Sequence, residues 1–197
     1  MQIPFVGHPG YYQLFVVSYV SWILFEVVTG RKRKTTDPAK MRDRGSFFFL
    51  VAMVWVGIAL DVSISFQRPQ TEIPWMRTEI FFLGIALMWA GLGFRYYAMR
   101  VLGKYFTFNV AVHAGQTVVE TGPYKYIRHP SYTGALITLT GFGLAFANWG
   151  GLLALMVCTG IGYAYRVRVE EAALVAALGE PYRNYMARTW RFVPYVI

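Results

Sequence analysis

Residues 130–165 contain no aspartate, glutamate, lysine, arginine or histidine. An uncharged run of that length is roughly twice the ~20 residues a helix needs to cross a bilayer. At its midpoint, Asn148-Trp149-Gly150-Gly151 combines turn formers with an interfacial aromatic, so the run predicts two antiparallel spans joined by a tight turn. Three further apolar stretches, residues 11–29, 46–66 and 80–99, are interrupted only by Glu26, Asp61 and Arg95. With 56% hydrophobic and 15% charged residues over 197 positions, too little polar surface exists to clothe a soluble globule. The expectation is an all-α integral membrane protein of about five transmembrane helices. It would form a single membrane domain over 1–197, with three N-terminal spans in 11–99 and a connector, hairpin and C-terminal helices in 100–197.

Nineteen basic residues against ten acidic give a formal charge of +9. These charges sit in clusters between the apolar runs, a pattern of membrane topology and not of a nucleic-acid groove, so lipid headgroups are the expected electrostatic partner. Arg31, Lys32, Arg33, Lys34, Lys40, Arg42 and Arg44 crowd the first loop, whereas the next carries only Arg68 and Arg77 beside Glu72 and Glu79. The positive-inside rule then predicts an outside N-terminus and a cytoplasmic C-terminus. The basic cluster follows the first apolar segment, so a cleaved signal peptide is not expected.

Several chemistries are set aside by composition. Cys158 is the sole cysteine and His8, His113 and His129 the only histidines, which leaves no internal disulfide, no cysteine cage and too few ligands for a paired-metal oxygenase; no metal is expected. There is no phosphate-binding G-x-x-x-x-G-K-S/T loop, and Gly91-x-Gly93, Gly141-x-Gly143 and Gly160-x-Gly162 fall inside apolar spans, where they read as helix-packing glycines. The stretch 100–129 is too long for an ordinary connection. Beyond residue 165, Leu174, Val175 and Leu178 keep helical spacing until Gly179-Glu180-Pro181, which predicts that span five continues past the membrane and then turns.

The densest polar constellation is Gly122-Pro-Tyr-Lys-Tyr-Ile-Arg-His-Pro-Ser-Tyr-Thr-Gly134, followed after the apolar run by Arg166-x-Arg168-x-Glu170-Glu171. Pro130 and Ser131 would open span four, turning backbone N–H groups and the positive helix end toward the preceding loop. Arg166 and Glu170 are four apart, so they share a helix face and can pair. Structural readings stand beside these. Arg128 and Arg168 serve equally well as interfacial anchors, His129 as a helix cap, and Tyr182 and Tyr185 as part of an aromatic belt from which only Tyr124 and Tyr132 separate as pocket residues. Glu26 and Asp61, inside spans, need a helix partner or the interface.

The two motifs, in order and flanking a hairpin, resemble the isoprenylcysteine carboxyl methyltransferase family and its phospholipid methyltransferase relatives over about residues 95–194. Leu102-Gly103-Lys104-Tyr105-Phe106-Thr107 and Ala114-Gly115-Gln116-Thr117-Val118-Val119 match the family's connector, with Gln116 where the family commonly has histidine. The resemblance implies an S-adenosylmethionine-dependent methyltransferase whose cytoplasmic pocket binds the cofactor through Gln116, Val118, Tyr124, His129, Pro130, Tyr132 and Glu171. Arg166 and Glu170 would be catalytic, and a lipid-like or prenylated acceptor would enter from the membrane. Methyl transfer from a sulfonium is an in-line displacement, so alignment and exclusion of water are the main tasks. A carboxylate acceptor is already nucleophilic and Arg166 could orient it, whereas an amine must lose a proton, which would make Glu170 or Glu171 a base. Carboxyl methylation of an isoprenylcysteine is the leading reading, with a phospholipid amine or small thiol as the alternative acceptor. A non-catalytic protein that binds anionic lipid or a partner through its basic loop is the reading from another class.

Overall fold

The computed structural model describes residues 3–32, 45–106 and 117–195. Residues 33–44 of the expected basic loop and residues 107–116 of the connector, Gln116 among them, lie outside the described residues. Six α-helices account for most of the rest: α1 (Pro9–Lys32), α2 (Ser46–Gln67), α3 (Arg77–Leu102), α4 (Pro130–Ala145), α5 (Trp149–Leu178) and α6 (Glu180–Ala187). Of these, α1, α2, α3 and α5 are long and apolar enough to cross a membrane. The 16 residues of α4 make a helix of about 24 Å, short of a ~30 Å hydrocarbon core. Exposed apolar side chains such as Val17, Leu24, Phe48, Trp55, Leu153 and Ile161 cover the outside, which suits a lipid-facing surface.

Among the described residues, α1 to α5 run back and forth between two ends. Along α2 and α5 the facing pairs run from Ser46 and Arg166 at one end, hydrogen-bonded at 2.8 Å, to Asp61 against Gly151 near the other. Helices α3 and α4 are likewise antiparallel, from Arg95 beside Ser131 to Gly84 beside Ala145. The hairpin forms where the sequence predicts it. The Asn148 side chain caps α5 by accepting the Gly151 N–H at 3.0 Å, satisfying a donor that the helix start would leave orphaned. The same side chain accepts the Thr71 hydroxyl at 2.9 Å, which ties the turn to the end of α2.

Both glycines of one predicted pair pack, but only one glycine of each of the other two does. A Cβ on Gly91 would stand 2.5 Å from Thr138 backbone, and Gly134 would meet Arg95 backbone at 2.7 Å. Gly141, Gly143 and Gly162 are also closely packed, whereas Gly93 and Gly160 face open space. Both intramembrane acids find neighbours. Glu26 pairs with Arg95 at 3.0 Å, and Asp61, wholly buried, accepts the Ser65 hydroxyl at 3.5 Å.

Candidate functional site

A cavity of about 390 Å³ opens among α1, α2, α4, α5 and the loop residues before α4. Its walls change character along its length. Trp22, Ile23 and Val27 of α1 face Leu50, Val54 and Ile58 of α2 across an apolar arm, while Arg95, His129, Tyr132, Arg166 and Glu170 form a polar floor. Tyr124, Tyr182, Tyr185, Leu174 and Val118 complete the side nearest α6. The cavity therefore draws on both halves of the chain.

The polar floor is built by the helix ends. Arg166 is buried to 2% exposure; its Nη1 donates to Ser46 Oγ at 2.8 Å and its Nε to the Tyr132 hydroxyl at 3.2 Å. The Tyr132 hydroxyl donates in turn to Glu170 Oε2 at 2.6 Å. The expected pairing of Arg166 with Glu170 is thus mediated by Tyr132, whose ring also stacks on His129 with centroids 5.4 Å apart.

Glu171 lies behind this layer and does not line the cavity. It accepts from Arg128 Nε at 2.9 Å and from Arg191 Nη2 at 3.0 Å, and lies 3.3 Å from His129 Nε2. This cluster fastens the segment after α6 alongside the loop before α4: Arg128 N–H donates to Trp190 C=O at 2.7 Å and His129 N–H to Arg191 C=O at 3.0 Å. Arg128 also donates to the carbonyls of Met186 and Thr189. Its side chain, 8% exposed, is thus bound into the fold, while Arg168 is exposed. Arg191 is held above the ordinary arginine range by its hydrogen bond to Glu171. Pro130 is likewise outside the cavity lining. It occupies the first turn of α4, where its missing N–H costs no helix bond.

Tyr124 sits in a short 3₁₀ turn, Gly122–Lys125, that starts at a positive φ of 56° on Gly122. A Cβ there would also press on the Tyr97 hydroxyl at 3.0 Å. Tyr185 donates to Tyr124 C=O at 2.7 Å. Burial pushes the Tyr124 phenol above its usual range, so it stays a neutral donor. Among the predicted site residues, Val118, Tyr124, His129, Tyr132, Arg166 and Glu170 come together on the cavity, Glu171 and Pro130 stand behind it, and Gln116 is not described. Arg95, Glu26 and Ser46 were missing from that set. The first two carried a signal, being charges within apolar spans; Ser46 carried none.

Membrane-length helices around a cavity that joins a buried ionic floor to an apolar arm define a polytopic helical membrane protein with an internal pocket. Residues 84–176, just under half of the chain, match the model of the Isoprenylcysteine carboxyl methyltransferase (ICMT) family, and the chain is similar to that family over this segment. Similar proteins include the Protein-S-isoprenylcysteine O-methyltransferase of Schizosaccharomyces pombe, 28% identical over 48% of this chain and 46% of its own length. Protein-S-isoprenylcysteine O-methyltransferase B of Arabidopsis thaliana is 30% identical over 57% of this chain and 58% of its own. A solved structure of the eukaryotic intramembrane Ras methyltransferase ICMT shares the fold, with TM-score 0.61 and 19% identity, covering 95% of this chain and 66% of that one. The chain thus spans about half to two-thirds of the length of these relatives.

Proposed function

We propose that this protein is a membrane methyltransferase that transfers a methyl group from S-adenosylmethionine to the carboxylate of an isoprenylcysteine-type acceptor. The observation that carries the reading is the single cavity whose polar floor, Arg166–Tyr132–Glu170, continues into an apolar arm between α1 and α2. A charged methyl donor and an apolar acceptor need such a junction, because neither partitions into the other's solvent.

The residues present suit the donor. Tyr124, Tyr182, Leu174 and Val118 offer an aromatic and apolar lining, and Glu170, 27% exposed at its side chain, turns a carboxylate toward the same space. When bound, S-adenosylmethionine supplies an electrophilic methyl on a sulfonium. Arg166, fixed by Ser46 and Tyr132, presents a charge of set direction to an acceptor carboxylate, and alignment of this kind carries most of the catalysis in an in-line transfer. No proton has to move. His129, Glu171 and Arg128 act as positioning residues that hold the loop before α4 in place.

The site lies at the end where α1 stops and α2 begins, the end that the basic loop assigns to the cytoplasm. Thermal-shift titration of the detergent-solubilised protein with S-adenosylhomocysteine tests the donor, and a labelled methyl group followed into product tests the acceptor. A base-stable product would replace the carboxylate with an amine or thiol and make Glu170 a base; no binding of the homocysteine compound would overturn the enzyme reading.

A further inference from the structure

In the same cavity, beside the Arg166–Tyr132–Glu170 part of the polar floor, stands a charged pair to which the proposed function gives no role. Arg95 of α3 is buried. Its Nη1 donates to the carbonyl and hydroxyl of Ser131, at 3.0 and 3.1 Å, and its Nη2 to Glu26 Oε2 of α1 at 3.0 Å. Both residues line the cavity, but unequally: the Arg95 side chain is 8% exposed and that of Glu26 27%. The accessible member is therefore the carboxylate. Glu26 also lies outside the segment that matches the family model. Elsewhere α1 is tied down by Trp89 donating to Ser18 and by Phe15 in an aromatic cluster, at the levels of the helix away from Glu26.

Resting on the methyltransferase reading, we propose that Glu26 is a built-in stand-in for the acceptor's carboxylate, displaced from Arg95 when an anionic acceptor enters between α1 and α2. A buried guanidinium stripped of its partner is strongly unfavourable. Exchange of one carboxylate for another keeps it neutralised throughout, so an anionic head is favoured over an amine or a neutral ester. Arg95 thereby selects the class of acceptor before Arg166 aligns it, and Glu26 sets how strongly an acceptor must compete.

The test measures binding of N-acetyl-S-farnesylcysteine and of its methyl ester to the full chain, with S-adenosylhomocysteine present. Removing an internal competitor strengthens binding, which loss of a merely structural ion pair would not. Glu26→Gln is expected to tighten the acid at least fivefold and leave the ester within twofold. Acid binding that weakens or stays unchanged in a folded Glu26→Gln protein would overturn the proposal. Should that variant fail to fold, spin labels at Val28 and Tyr97, on a Cys158→Ala background with Glu26 intact, report the exchange directly: the acid and not the ester lengthens the α1–α3 distance, and equal responses sink the idea. If neither compound binds, this inference and the acceptor reading fall together, while S-adenosylhomocysteine binding reports on the donor separately.

Discussion

One hydroxyl oxygen, that of Tyr132, accepts from Arg166 and donates to Glu170, so Tyr132→Phe removes the link without removing the ring. The ring keeps its contacts with His129 and Tyr163, and the fold is expected to survive. Turnover should fall roughly 10–100-fold through misalignment of Arg166, with S-adenosylhomocysteine affinity little changed; single-turnover rates beside binding isotherms check the split. Arg166→Lys keeps the charge but loses the planar fork, and a comparable loss is expected. His129→Ala should behave oppositely, weakening S-adenosylhomocysteine by about 1–3 kcal/mol, the scale of a lost buried polar contact. Arg166, Tyr132 and Glu170 could be read in the sequence because each lies in a short motif of fixed spacing. Ser46 could not, since it reaches Arg166 across 120 positions and a lone serine before an apolar run has no distinctive pattern. Glu171 came to the cofactor side through the resemblance alone; adjacent residues on a helix point about 100° apart, and its carboxylate pairs with Arg128 and Arg191.

Among the elements, the α4–α5 hairpin could be read from turn chemistry alone, because Asn148 is both turn former and cap. Asn148→Ala loses the cap and the tie to Thr71, at a cost of about 1–2 kcal/mol on the scale of a lost N-cap. The glycine pairs were legible as packing residues only in part, since a sequence does not say which of two neighbours faces a helix and which faces lipid. That difference makes an internal control. Gly91→Ala drives a methyl into Thr138 backbone and should cost at least about 1–3 kcal/mol as overpacking. Gly93→Ala, with open space around it, should be neutral or stabilising by up to about 1 kcal/mol through helix propensity. Thermal unfolding of both in the same detergent is the comparison; equal losses would mean that α3 and α4 do not approach as closely as Gly91 and Gly134 indicate.

Across the whole molecule, the short α4 and the long α5 have one explanation. Helix α4 starts opposite Arg95, seven residues before α3 ends at Leu102, so its first turn is recessed by roughly 10 Å relative to the end of α3. The loop before α4 and the segment after α6 fill that recess. Arg166, by contrast, is level with Ser46, the first residue of α2, and α5 runs on to Leu178. Apolar run lengths cannot reveal such staggering, since they count residues and not the depth at which a helix begins. Because α4 still reaches from Arg95 to the hairpin turn at the opposite end, the alternating run of α1 to α5 puts residues 32 and 45 at the same end as the α5 residues Arg166 and Glu170. The charge asymmetry of the loops favours the cytoplasm for this end, which is the orientation we propose. Reporter fusions at residue 36 and residue 197 are therefore expected to face the cytoplasm, and an insertion at Trp149 the other side. If the first two face opposite sides, α4 does not complete a crossing, and the cavity would have to be supplied with its charged methyl donor from a different face of the membrane.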